Sequence, residues 1–243
     1  MMSVANTRAS ERQESMNNFL DYAKQMWPEF LCGPHHELMA EKFEGVAAGK
    51  IKKLILNLPP RHTKSMFASY LLPSWYLGRF PEKQVIQTMS DINLAVGFGR
   101  LVNRLMGSQE YAQVFPKHGK NVCTGVGGAI GGHLADLLIV DDPHLAGFND
   151  FRNVFDWFAH SAMCGLNPEG AIVVVMSRSS ADDLTGQLEG FGEWEVLKIP
   201  AMQADGSATW PEFWPEKDLL DVKKNVTSKI WAMQWQQNVD EAA

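Results

Sequence analysis

The chain has 243 residues, 45% of them hydrophobic, enough for one large or two small domains with a sizeable core. A formal net charge of −6 excludes nucleic-acid binding through a uniformly basic surface, though not through a local basic patch. Three scattered cysteines without a C-x-x-C pair argue against a disulfide framework or structural zinc and for a reducing compartment, no apolar run approaches the ~20 residues of a membrane span, and the polar N-terminus lacks a secretory apolar region.

Residues 1–15 read as a flexible tail. "MNNFLDYAKQMW" places Phe19, Leu20, Ala23, Met26 and Trp27 at helical intervals, and Pro28 ends the helix. "PHHELMAEKFEGVAAGK" predicts a second amphipathic helix, opened by Pro34 and closed by Gly49. "KKLILNL" predicts a buried strand over 52–58, and after the Pro-Pro turn a helix runs from Lys64 to Leu72. "KQVIQTMS" (83–90) is strand-like, and "DINLAVGFGRLVNRLMGS" is a helix capped by Ser90 or Asp91. "NVCTGVGGAIGGHLA" reads as a glycine-rich loop or hairpin. "DLLIVDDP" is a buried strand ending in two carboxylates. Residues 151–164 are helical, with Phe151, Phe155, Trp157 and Phe158 as core, and 170–177 is a third strongly apolar strand. A short helix "ADDLTGQLEG", a strand "EWEVLKIP" and two helical pieces, "PEFWPEKDLLDVKKN" and "SKIWAMQWQQN", complete the chain. Apolar strands alternating with helices imply an α/β fold, a mainly parallel sheet covered on both faces. Residues 16–50 form a helical segment ahead of a core over 51–243.

Ligands of such sheets sit at the carboxyl ends of the strands. Three predicted strands end in polar groups: Pro59–Ser65, Asp141–Asp142 and Ser177–Arg178. The first, "LILNLPPRHTKSMFASYLL", ends its turn in Lys-Ser as a phosphate-binding loop does. The pattern G-x-x-x-x-G-K-[ST], however, asks for glycine where this chain has Leu58 and Thr63. In a phosphate loop, Pro60, Arg61, His62 and Thr63 wrap the phosphates and Lys64 reaches the β- and γ-phosphates. Ser65 then ligates Mg²⁺, and Arg61 adds a second cation. The motif alone equally fits a basic strand-to-helix turn. "ADLLIVDDPH" fits a Walker B strand, with Asp141 holding Mg²⁺ through its water shell and Asp142 orienting the attacking water, although apolar strands often end in Asp. Ser177 and Arg178 stand where such ATPases carry a polar sensor of the γ-phosphate. Alternatively, Ser177 and Ser179 cap the next helix while Arg178 is solvated. Asp182 and Asp183 read as first-turn helix acids. The histidines lack metal-ligand spacing.

From about Phe19 to Asn238 these residues resemble the N-terminal ATPase domain of the large terminase subunit of tailed phages, the motor that packs DNA into procapsids. The stretches are "PPRHTKS", "FASYLLPSWYLGRFPEKQVIQ", "LAVGFGRLVNRLM", "GVGGAIGG", "ADLLIVDDPH", "SRSSADDLTGQL" and "WAMQWQQN". The resemblance implies a P-loop NTPase fold of the ASCE type, with ATP and Mg²⁺ as cofactors. It implies Lys64, Arg61 and Asp142 as catalytic groups, Arg61 acting within its own subunit. Ser65 and Asp141 hold the metal, and Ser177 and Arg178 couple hydrolysis to motion. The adenine side falls near Trp27, Phe30 and His36. The implied partners are the phosphate backbone of double-stranded DNA, a portal protein, a small terminase subunit and further copies in a ring. The implied place is the host cytoplasm, docked at the procapsid portal. Lys50, Lys52 and Lys53, or Lys117 and Lys120, are candidate DNA patches.

The chain departs from the family at several points. His133 stands where relatives often carry a basic residue that acts on a neighbouring subunit, and histidine is at best partly charged at neutral pH. Ser179 replaces a tryptophan, Val239 a proline, and the stretch from Phe115 to Gly125 is short. The RNase H-like nuclease domain of full terminases is not expected, nor is DNA cleavage by this chain alone. The alternative reading is a catalytically weak, terminase-like remnant or assembly module that binds packaging partners.

Overall fold

Six strands frame the computed structural model, which describes residues 16–128, 130, 132–144 and 151–240. They are β1 (Lys53–Asn57), β2 (Gln84–Met89), β3 (Lys120–Gly125), β4 (Ala135–Asp141), β5 (Leu166–Met176) and β6 (Glu195–Lys198). The sheet order is β3-β2-β4-β5-β1-β6, and every pairing is parallel. The inner strands are near-continuous apolar runs because both faces of the sheet are covered. Alternate side chains divide between two cores. Leu54, Leu56, Val85, Leu137, Ile139, Val173 and Val175 enter one, and Ile55, Ile86, Leu138, Val140, Ile172 and Val174 enter the other.

On the first face lie α1 (Phe19–Met26), α2 (Pro34–Ala47), α3 (64–79), α4 (Ile92–Met106) and α5 (Gln109–Val114). Helix α3 starts at Lys64, is π-helical over Met66–Leu71 and continues as α-helix over Leu72–Arg79. The second face carries α6 (Phe151–Trp157), which runs on through a π turn (Phe158–Ala162) and a 3₁₀ turn (Met163–Gly165), and α7 (Leu184–Glu189). A small third core joins Ala201 and Ala208, from the segment after β6, to Leu219 of α8 (Glu216–Asn225) and to Trp231 and Trp235 of α9 (Ser228–Ile230, continuing as a π turn over Trp231–Trp235). No described helix is long and apolar enough to cross a membrane. All three cysteines are free.

Two expectations change. The stretch read as a glycine-rich loop or hairpin supplies an edge strand, β3, which runs parallel to β2 with Cys123 opposite Gln87. An edge strand under one helix needs little apolar sequence, so its signal is weak. The glycine that matters there is on the helix: any side chain at Gly99 of α4 would run into Cys123 Sγ. The third apolar strand starts four residues earlier than expected, at Leu166, and pairs with Ala135 across a register shift in β4. The tail over 1–15 lies outside the described residues. The result is an all-parallel α/β fold in which β5 stands between β1 and β4, the ASCE-type P-loop layout.

Candidate functional site

The carboxyl ends of β1, β4 and β5 meet at one edge of the sheet. After Asn57, Leu58 N–H still donates to Met176 O (3.2 Å), and Pro59 and Pro60 then stop the ladder. The turn places Arg61 and Thr63 in the left-handed region, both at φ 57°, and Phe67 N–H reaches Thr63 O (3.0 Å) as α3 begins. Of the two positions where the motif asks for glycine, only 63 has a left-handed backbone. Leu58 is buried with an ordinary backbone and has no need of glycine. His62 is fully buried: its Nδ1–H donates to Pro60 O (2.9 Å), and its Nε2 has no hydrogen-bond partner among the described residues.

Lys64 and Ser65 open α3 and meet the two acids of β4. Lys64 Nζ pairs with Asp142 Oδ2 at 2.8 Å. Ser65 Oγ donates to Asp141 Oδ1 (3.1 Å) and Ser69 Oγ to Asp141 Oδ2 (2.7 Å). Asp142 turns at φ 40°, its N–H on Val175 O (2.8 Å), and its Oδ1 accepts from Ser177 N–H (3.2 Å). Ser177 Oγ closes the ring by donating to Leu58 O (2.8 Å). Burial, with the neighbouring Asp142 charge, pushes the Asp141 carboxyl up to about 7, against the pull of Lys64 and the two serine hydroxyls. Arg61 stands exposed at the lip.

Arg178 is not the solvated residue of the helix-cap reading. It is 2% exposed, and its Nε donates to both oxygens of Asp183 (3.1 and 2.9 Å), with Glu189 at 3.5 Å. Ser177 and Ser179 do not cap α7. Asp183 does, accepting from Gly186 N–H (2.9 Å) and also from Ser179 N–H (2.9 Å). Burial pushes the Asp183 carboxyl up, but the Arg178 guanidinium and these N–H groups outweigh it and the net shift is downward. Arg178 N–H donates to Gln237 Oε1 (2.9 Å), which ties the end of β5 to the C-terminal segment.

His133 lies just before β4, at the end of that strand opposite Asp141, roughly 20 Å away at ~3.3 Å per residue. It is not brought to the cluster within this chain. Trp27, Phe30 and His36 do form one aromatic group against α3. Trp27 stacks on Phe30 (5.4 Å), and Phe30 meets His36 edge-on (4.6 Å) and Phe67 at 5.1 Å. Of the three, His36 reaches the loop, through Thr63 Oγ1.

No protein-family model and no curated protein matches the sequence. Among solved structures, the crystal structure of the HK97 bacteriophage large terminase aligns with a TM-score of 0.59, covering 86% of this chain. The fold is similar to that of part of this large terminase. Sequence identity is 11%, so the likeness speaks for the fold alone, and this chain spans 51% of the length of that one.

Within this terminase fold the described residues hold no group of three or more His, Cys, Asp or Glu suited to a metal. Ser65 and Asp141 offer two adjacent oxygens, and the Asp141 carboxyl is buried beside a second acid, Asp142. That set fits Mg²⁺, which keeps waters and takes further oxygens from phosphates, better than a cation caged by protein alone. Sequence reasoning missed Ser69, Asp183 and Gln237. Ser69 had a readable signal, standing four residues after Ser65 on one helix face. Asp183 and Gln237 acquire their roles only through tertiary partners.

Proposed function

We propose that this chain is an ATP-hydrolysing domain of the large-terminase type, whose turnover drives double-stranded viral DNA into a procapsid. One observation carries the reading: Lys64 and Ser65, at the start of α3, meet Asp142 and Asp141 at the carboxyl ends of parallel strands in a terminase fold. A helix N-terminus with a lysine suits the phosphates of a nucleotide. Lys64 exchanges Asp142 for the β- and γ-phosphates. Asp142, still tethered by Ser177 N–H, is then released to orient a water in line with the γ-phosphate. Arg61, exposed at the lip, offsets charge developing on the transferred group. Ser65 and Asp141 hold Mg²⁺, which when bound neutralises charge on the phosphate oxygens. Ser69 keeps the buried Asp141 carboxylate aimed at that position.

In this reading residues 16–50 supply the adenine side and 51–243 the catalytic core. Contact with DNA is through phosphates and is sensitive to salt. A ring of copies, a portal protein and a small terminase subunit complete the machine, in the host cytoplasm at the procapsid portal. Ser177 and Arg178, between Asp142 and Gln237, transmit turnover to the C-terminal segment. Calorimetry with ATP and Mg²⁺ tests the site. The wild type should release binding heat that Lys64→Ala abolishes, whereas a silent wild type would leave an assembly module as the surviving reading.

A further inference from the structure

Thr63 is a β-branched residue held at φ 57°. A left-handed backbone costs an L-residue of this kind free energy that glycine does not incur. Its hydroxyl lies in a directed chain of hydrogen bonds that begins outside the loop. Gly33 N–H donates to His36 Nδ1 (2.8 Å), so the His36 proton sits on Nε2. His36 Nε2–H then donates to Thr63 Oγ1 (2.5 Å), and Thr63 Oγ1–H donates to His62 O (2.7 Å). Each group has one role, and none competes for the same proton.

The anchor is rigid. His36 is fully buried between Phe30 and Phe67, both at 4.6 Å, with His35 at 3.7 Å and Trp210 at 5.0 Å. Gly33, the residue before α2, has the Trp210 indole where a side chain would stand, so the donor to Nδ1 is fixed as well. Burial, reinforced by the neighbouring His35, lowers the His36 pKa to about 2, so the ring stays neutral and the tautomer holds.

We propose that His36 is a positioning residue for the phosphate loop, holding Thr63 in the left-handed conformation that glycine would adopt unaided. The inference rests on the nucleotide-site reading. It makes the shape of the loop depend on α2, so the helical segment ahead of β1 becomes part of the site without touching phosphate.

The test is a double-mutant cycle of His36→Ala and Thr63→Gly, read as the dissociation constant of the Mg²⁺ complex of a non-hydrolysable ATP analogue. His36→Ala should weaken binding at least tenfold with Thr63 present and less than threefold in the Thr63→Gly background. His36→Gln, which keeps an N–H of similar reach, should recover most of the loss. Equal cost in both backgrounds would reduce His36 to a packing residue and overturn the proposal. If His36→Ala does not fold, Thr63→Val and Thr63→Ser decide: the variant without a hydroxyl should bind at least tenfold more weakly, and equal binding refutes the anchor. If the wild type binds no nucleotide, the site reading fails, and urea unfolding of the same four proteins judges the anchor. The midpoint shift from His36→Ala should then be smaller in the Thr63→Gly background, and equal shifts would overturn it.

Discussion

Asp142 is held by two different donors, Lys64 Nζ on one oxygen and Ser177 N–H on the other. In the proposed mechanism this separates binding from chemistry. Asp142→Asn should leave nucleotide affinity within a few-fold while lowering phosphate release about 10²-fold or more, the scale of one lost general-base contribution. A loss confined to affinity would place Asp142 outside the chemistry. Three buried histidines give a second prediction at this scale. Burial lowers His35 to about 3, His36 to about 2 and His62 to about 4, with Lys64 adding to the effect at His62. In the unfolded chain each takes a proton near pH 6.5, but in the fold none does until pH 4 or below. Between those limits the unfolded state binds more protons at the histidines, each lowering stability as pH falls by up to ~1.4 kcal/mol per pH unit, while Asp141, raised to about 7, takes its proton first in the fold and offsets about one of the three. Urea midpoints between pH 7 and pH 5 should drop steeply, and His62→Gln should flatten the slope. That Lys64, Ser65, Asp141 and Asp142 come together was legible in the sequence from their places after predicted strands. Asp183 was read as a helix acid because its partner Arg178, five residues away, gives no local sign of being buried.

Elements whose signal is a period were also legible. The strands at β1, β2, β4 and β5 and helices α1, α2 and α4 follow from runs and spacing. Edge strand β3 did not, because one covered face leaves no continuous apolar run. The π-helical segment of α3 over Met66–Leu71 was equally hidden, although the four-residue spacing that puts Ser65 and Ser69 on the two oxygens of Asp141 was not. The junction of β5 and α7 depends on the buried Arg178–Asp183 pair, whose side chains are 2% and 0% exposed. Removing Asp183 leaves the buried Arg178 guanidinium with the longer Glu189 contact (3.5 Å) and the Ser180 carbonyl in place of its close pair. Asp183→Ala should therefore cost about 3–5 kcal/mol in urea unfolding, and a cost below about 1 kcal/mol would mean the pair is dispensable.

The whole chain joins a fold similar to part of a large terminase to a formal net charge of −6. Under the proposed function, contact with DNA would come from local lysines such as Lys117 and Lys120, and affinity should fall steeply with salt without regard to sequence. Equal affinity at 50 and 200 mM salt would contradict a phosphate-backbone contact. At this scale the alternation of strands and helices made the fold class readable. The order of the strands was not, since it depends on crossovers that leave no local mark. The most direct test of the central claim is phosphate release from ATP by the wild type and by Lys64→Ala in the presence of Mg²⁺. Turnover by the wild type, reduced at least 10²-fold in a Lys64→Ala protein with an unchanged circular dichroism spectrum, is the predicted result. Equal turnover by the two proteins would contradict it.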